Sequence, residues 1–423
     1  MAEPSADRLA LLYRVSQAFN SSLDLDEVLN RVIDEVIAAT RAERGSLMLH
    51  DANGALVFRA ARGLEQQSID DPTFQVSRGV VERVAREGRP LLTSNAQDDQ
   101  WLRRRESVMV LGLRSILCVP LQHKGATLGV IYVDNRLQAG LFRPDDLDLL
   151  TAIASSAAAA IENARLYQVA VDKGRLEREL QVAREVQVSL LPRETPRIDG
   201  WEFAARWQPA RQVAGDFYDF IPVSLPKDSQ AASGLGIVMA DVSDKGMPAA
   251  LFMALSRSIV RASVVQALPP ADSITQANRL ICADSPNGMF VTLFYAQIDP
   301  AAGDMVYVNA GHNPPLLYHA DRDGVIRLTG TGMVLGLFDS AQYEQRAARL
   351  APGDFVLMYT DGVTEALDAH GREFGEERLQ RLVLDQCAAP AATIASALEQ
   401  ALAAHIGGGA PSDDITFLIA RRL

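Results

Sequence analysis

The strongest restriction on this chain is a set of apolar, strand-length runs that begin or end on aspartate. "GIVMAD" ends on Asp241 and "FVLMYTD" ends on Asp361. "DDITFLIA" opens on Asp413 and Asp414, and Asp216 sits inside "VAGDFYDF". Runs so rich in Val, Ile, Leu, Met and Phe read as buried strands. A lone carboxylate at the mouth of such a strand is costly, because a desolvated charge is destabilising and takes up a proton instead. For any one of these acids, a turn or a helix cap is a sufficient explanation. For all of them together, convergence on divalent cations is simpler, since such cations accept carboxylates, carbonyls and water as ligands. Gly215, Gly246, Gly311 and Gly362 flank the same stretches and permit tight turns beside such a site.

The rest of the composition narrows which cation. Cys118, Cys282 and Cys387 lie far apart with no Cys-x-x-Cys, and the six histidines are scattered. Zinc and a disulfide framework are therefore disfavoured, and oxygen ligands point to Mg²⁺ or Mn²⁺. A formal net charge of -12 argues against nucleic acid as a partner. No apolar run approaches membrane-span length and the N-terminus lacks a signal-peptide pattern, so a cytoplasmic location is expected. A length of 423 residues suggests two or three domains.

The first 165 residues read as helix, hairpin, helix, hairpin, helix. Asp24 and Glu27 have capping-box spacing, and Val28, Leu29, Val32, Ile33, Val36 and Ile37 form one helical stripe. "RGSLMLH" and "ALVFRAA" flank Asn53-Gly54, a hairpin signal, and "SILCVPLQHKGATLGVIYVDN" reads as a second hairpin. Pro144 starts a helix. The pattern predicts an antiparallel sheet covered by helices on one face. "RGSLMLHD", "VPLQHKGATLGVIYVDN" and "AIENARLYQ" resemble a GAF domain, which implies a sensor and dimerisation module for an unidentified small-molecule or protein signal. Phe58, Trp101 and Tyr132 are candidate pocket residues, although such aromatics more commonly fill a core.

Residues 166–195 read as a helical linker. Val169, Leu176, Ala183 and Leu190 recur at heptad spacing, which predicts a short parallel coiled coil and a homodimer through it and the GAF domain. Gly174 marks an expected break or hinge.

Residues 196–423 alternate many strands with few helices, as in two stacked sheets flanked by helices. Here "VAGDFYD", "ADVSDKGMPAALFMA", "MFVTLFYAQID", "YVNAGHNPPLL", "VLGLFD", "LMYTDGVTEA" and "SDDITFL" follow the order found in metal-dependent protein phosphatases (PPM) of the stage-II-sporulation-E type. The fold class expected is thus α+β and multidomain: a GAF sheet with helices, a helical linker and a PPM-type β-sandwich flanked by helices. The resemblance implies a two-ion Mn²⁺ or Mg²⁺ site. It also implies hydrolysis of phosphoserine or phosphothreonine on a protein such as a STAS-type anti-sigma-factor antagonist, in bacterial partner switching. By that resemblance Asp241 bridges the metals with help from the Val242 carbonyl, Asp216 serves the second metal, and Asp361 with Asp413 or Asp414 serves the first. Asp216 and Asp241 are the expected catalytic pair. Two departures stand out: Ala214-Gly215 replaces Gly-Gly, and Ser243 stands where larger relatives have His, which leaves the general acid unidentified. Lys245 and Arg211 are candidate phosphate ligands or simply solvated cations, and His312 reads as a turn and packing residue. The rival reading is a degenerate phosphatase that binds its partner without turnover.

Overall fold

The computed structural model describes residues 6–19, 21–63, 76–96, 112–225, 233–266, 268–285, 288–322 and 324–423. They form two compact units, Met1–Leu176 and Glu177–Leu423.

The first unit is built on an antiparallel sheet of β1 (Arg44–His50), β2 (Leu56–Arg62), β3 (Leu91–Thr93), β4 (Ser115–His123) and β5 (Ala126–Asn135), in the order β2-β1-β5-β4-β3. Both expected hairpins form. The turn at Asn53-Gly54 is organised by Asp51, whose carboxylate accepts the amides of Asn53 and Ala55. Asp24 caps the helix Leu25–Thr40 by accepting the Glu27 amide, and the whole stripe from Val28 to Ile37 is buried. That stripe and the helix starting at Pro144 cover one face of the sheet, through Leu47, Leu117, Val119, Ile131 and Val133. Contrary to the one-face expectation, the helix Arg78–Glu87 packs on the opposite face, against Met48, Cys118, Val130 and Tyr132. Successive side chains go to opposite faces, so the unbroken apolar runs of β4 and β5 make both faces apolar and both need cover. Tyr132 and partly buried Phe58 belong to this second core, and Trp101 lies outside the described residues. Cys118 is fully buried, and burial pushes its thiol well above the usual range.

The helix Pro144–Leu190 is 47 residues long and runs unbroken through Gly174, so the expected hinge is not formed. The strong helix formers that follow it, "RLEREL", outweigh one glycine. Val169 and Leu176 are 58% and 57% exposed, whereas Ala183 and Leu190 are partly buried.

The second unit is a sandwich. One sheet has the order β13-β10-β9-β8-β7, made of β7 (Phe217–Val223), β8 (Gly234–Val242), β9 (Val291–Ile298), β10 (Asp304–Ala310) and β13 (Arg346–Arg349). The other has the order β12-β11-β14-β15-β6, made of β6 (Trp201–Gln208), β11 (Leu316–His319), β12 (Gly324–Arg327), β14 (Phe355–Tyr359) and β15 (Ile415–Arg422). Ile237, Met239, Val356, Met358 and Leu418 fill the space between the sheets. Their neighbours Val238, Ala240 and Val242 face outward onto helices Met247–Val264 and Pro270–Asp284. Phe355, Leu357 and Phe417 likewise face helices Glu376–Asp385 and Ala391–Ile406. Four layers result, helix, sheet, sheet, helix, which explains why the central strands read as continuous apolar runs.

A Cβ added at Gly174 meets nothing within 4 Å. Gly174→Ala should therefore raise helix stability by about 0.5–1 kcal/mol, read as an increased thermal midpoint. A lowered midpoint would show that this position is held in another way.

Candidate metal centre

Antiparallel pairing decides where the acids go. β7 begins beside the end of β8, with Phe217 opposite Ala240, so Asp216 falls next to Asp241. In the other sheet β15 begins beside the end of β14, with Tyr359 opposite Phe417, so Asp413 and Asp414 fall next to Asp361. Both pairs occupy the same end of the sandwich, since the Thr360 hydroxyl donates to Asp216 Oδ2 at 2.7 Å across the sheets.

The electrostatics follow from that crowding. Asp216 is 1% exposed, and burial, then repulsion from Asp241 and Asp414, raises its carboxyl well above the usual range. Asp241 is pushed up to about 7 by burial and by Asp361, against a hydrogen bond with Asp216. Asp361 is raised by burial and then by Asp413. Glu365, beside Asp361, is also raised, chiefly by burial. Among the described residues no three His, Cys, Asp or Glu side chains are gathered closely enough to hold an ion as they stand. The acids are neighbours that repel, not a finished coordination shell.

Asp413 and Asp414 differ. Both oxygens of Asp414 are engaged, Oδ1 by the Ala210 amide and Oδ2 by the Gly215 amide, each at 2.8 Å. Asp413 is more exposed: its Oδ1 accepts the Asp414 amide at 2.9 Å, and at the rim Lys245 Nζ lies 2.7 Å from its Oδ2. That contact raises the Lys245 ammonium, while nearby Arg211 pulls it down, so two cations flank the mouth. Val242 is buried, and a Cβ at Gly215 would lie 3.0 Å from its carbonyl oxygen and 3.6 Å from Asp241 Oδ1. At Gly362 an added Cβ would run into the Asp414 carbonyl. Close approach requires glycine at 362 and leaves little room at 215. Ser243 is tied to Phe290 by two hydrogen bonds of 2.9 Å, its amide donating to the carbonyl and its hydroxyl accepting the amide.

The donor set fits a hard divalent cation. It is all oxygen, strongly anionic and partly desolvated, and a lysine ammonium already rests on it.

Sequence reading missed the supports. Trp207 Nε1 holds the Asp216 carbonyl at 3.0 Å. Gln187 is buried near the end of the helix Pro144–Leu190; its Nε2 donates to the Ala214 carbonyl at 2.8 Å and its Oε1 accepts the Ala214 amide at 3.1 Å. The same Nε2 reaches the Ala250 carbonyl at 3.4 Å. Asp219, 2% exposed, binds Arg257 and Arg261 at 2.9 and 2.7 Å and thereby ties β7 to the helix Met247–Val264. The second aspartate of "GDFYDF" on an apolar strand was the available signal for that tie; a glutamine inside a polar helix gives none.

Comparison with known proteins agrees with this geometry. Residues 231–423 match the family "Stage II sporulation protein E (SpoIIE)", and residues 24–161 match the GAF domain family. The chain carries a GAF domain and a SpoIIE-family domain. It is 32% identical over 272 residues to Protein IcfG of Synechocystis, covering 58% of this chain and 41% of IcfG. It is 29% identical over 245 residues to phosphoserine phosphatase RsbU of Bacillus subtilis, covering 58% of this chain and 70% of RsbU. The chain thus spans less than half of IcfG. The solved SiaA-PP2C domain of Pseudomonas aeruginosa superposes with a TM-score of 0.51 at 23% identity, covering 60% of this chain and 99% of that domain. The SpoIIE domain therefore has a PP2C fold. No described helix of the chain is long and apolar enough to cross a membrane.

The raised Asp241 carboxyl fixes the sign of a pH effect. An unfolded aspartic acid titrates near 4, so between about pH 4 and 7 the folded chain holds a proton that the unfolded chain has lost. Stability from this group is full below pH 4 and is lost as pH rises to about 7. In a chelator, Asp241→Asn should therefore gain on the order of 2–4 kcal/mol over the unsubstituted protein between pH 4 and 8, and added Mn²⁺ should abolish the gain. Parallel pH profiles for the two proteins would contradict it.

Proposed function

We propose that this chain is a divalent-metal-dependent serine/threonine protein phosphatase. The observation that carries this reading is the meeting of strand-end carboxylates from both sheets at one end of a SpoIIE-family sandwich. A pair of Mn²⁺ or Mg²⁺ ions, when bound, supplies an activated water and neutralises charge on the phosphoryl oxygens. Asp241, with Asp216 on one side and Asp361 on the other, would be the shared ligand, and the Val242 carbonyl, which lies beside Gly215 as Asp241 does, would help hold one ion. Asp216 is assigned to one ion, and Asp361 with Asp413 to the other. Asp414, spent on two backbone amides, positions the Ala210–Gly215 loop. Lys245 and Arg211 orient the anionic phosphoryl group at the rim. Ser243, held by Phe290, is assigned no proton-transfer role.

The relatives support a phosphorylated protein as substrate, and a STAS-type antagonist is the class we favour. We assign residues 1–165 to a cytoplasmic GAF sensor and 166–195 to the helical linker. A homodimer through that linker would cover Val169 and Leu176. Regulation passes along the linker to Gln187, which holds both the loop before Asp216 and the helix after Asp241.

Two tests bear on this. Asp241→Asn should abolish Mn²⁺-dependent release of phosphate from a phosphorylated STAS protein, a loss of at least about 10³-fold, while partner binding by calorimetry persists. Unchanged turnover would end the metal mechanism, and binding without turnover in the unsubstituted chain would favour a scaffold. Gln187→Leu leaves the Ala214 amide and carbonyl buried without partners, at a cost of about 1–3 kcal/mol. Activity at limiting Mn²⁺ should fall about fivefold or more; equal activity would remove Gln187 from the regulatory route.

A further inference from the structure

His312 follows β10, is 4% exposed, and is held by its neighbours in an unusual way for a turn residue. Its amide donates to Asn309 Oδ1 at 2.8 Å, and Asn309 Nδ2 in turn donates to the Leu328 carbonyl at 3.1 Å. The backbone is thus fixed before the ring makes any contact. The ring Nδ1 lies 2.8 Å from the Thr292 hydroxyl. Thr292 is the cross-strand partner of Asp241, and its hydroxyl also reaches the Asp241 carbonyl at 3.4 Å. The other nitrogen, Nε2, is buried and lies near the Tyr359 carbonyl without a well-formed hydrogen bond. Burial holds the imidazole neutral, with its pKa down at about 3, against an opposing pull from the Tyr359 carbonyl. Tyr359 ends β14, two residues before Asp361.

One neutral ring therefore touches the strand paired with Asp241 in one sheet and lies beside the strand end that leads to Asp361 in the other. A packing residue needs no polar atom here, and a buried nitrogen with only a poorly formed partner costs free energy. We propose that His312, acting through Thr292, is a positioning residue that sets the separation between the Asp241 and Asp361 ends of the two sheets and so tunes cation affinity. The inference rests on the carboxylate cluster being the cation site. Supports one step removed from a metal commonly change its affinity by 10–100-fold, and the repulsion among these acids makes their spacing especially consequential.

The test is Mn²⁺ titration of the chelator-treated full chain by calorimetry, with thermal midpoints measured in chelator on the same samples. Thr292→Val is nearly isosteric and removes only the hydroxyl; Thr292→Ser keeps it. Thr292→Val and His312→Leu should each weaken Mn²⁺ binding by about tenfold or more, equivalent to about 1.4 kcal/mol, and Thr292→Ser should restore most of it. Affinities within twofold of the unsubstituted chain, or a Ser variant as weak as the Val variant, would overturn the proposal and leave His312 a packing residue. An unsubstituted chain that binds no Mn²⁺ would instead overturn the reading of the cluster itself.

Discussion

Like charges forced together by strand register dominate the second unit. Two antiparallel pairings, β7 with β8 and β14 with β15, each bring a strand start beside a strand end. Because the acids occupy those termini, the pairing that completes the backbone hydrogen bonds also crowds the carboxylates. Neither effect is separable from the other: a one-residue register shift that relieved the repulsion would exchange the side chains that β8 and β14 send into the inter-sheet core with those packed on the helices. The sandwich therefore carries a local electrostatic strain that a hard cation bound there would relieve.

The surroundings limit how far the acids can move apart. Thr360 joins Asp216 to the opposite sheet, and Asp414 closes the Ala210–Gly215 loop. Asp219, with Arg257 and Arg261, fixes the helix Met247–Val264 to β7. A buried carboxylate shared by two guanidiniums is expensive to disrupt, so this helix is a firm lever, and Gln187 touches its first turns at Ala250. A site with stiff walls and poorly matched charges is one in which small displacements at the supports change cation affinity.

Much of the architecture was legible because it depends on periodicity. The stripe from Val28 to Ile37, the Asp24 cap and the strands 234–242, 355–359 and 415–422 all obey simple spacing rules. β6 and β7 were harder to read. β6, "WEFAARWQ", lies at a sheet edge, and its half-buried positions blur the alternation. β7 carries Pro222 and the buried Asp219, both foreign to a usual strand pattern. Gly174 was overread as a hinge, since one residue's propensity is small beside a long helix-forming context. The second-face helix Arg78–Glu87 was seen as a helix, but its side of the sheet is a property of the sheet and not of the helix.

By itself the sequence determined which acids end or open the apolar strands, that the side chains offered there are oxygen donors, and where those strands run, because residue type and period are local. Only the tertiary structure decided that Asp414 is occupied by backbone amides while Asp413 faces the rim, and that Gln187, Thr360 and His312 brace the centre. These are contacts between residues far apart in the chain, and no local pattern records which distant amide or hydroxyl a side chain will meet.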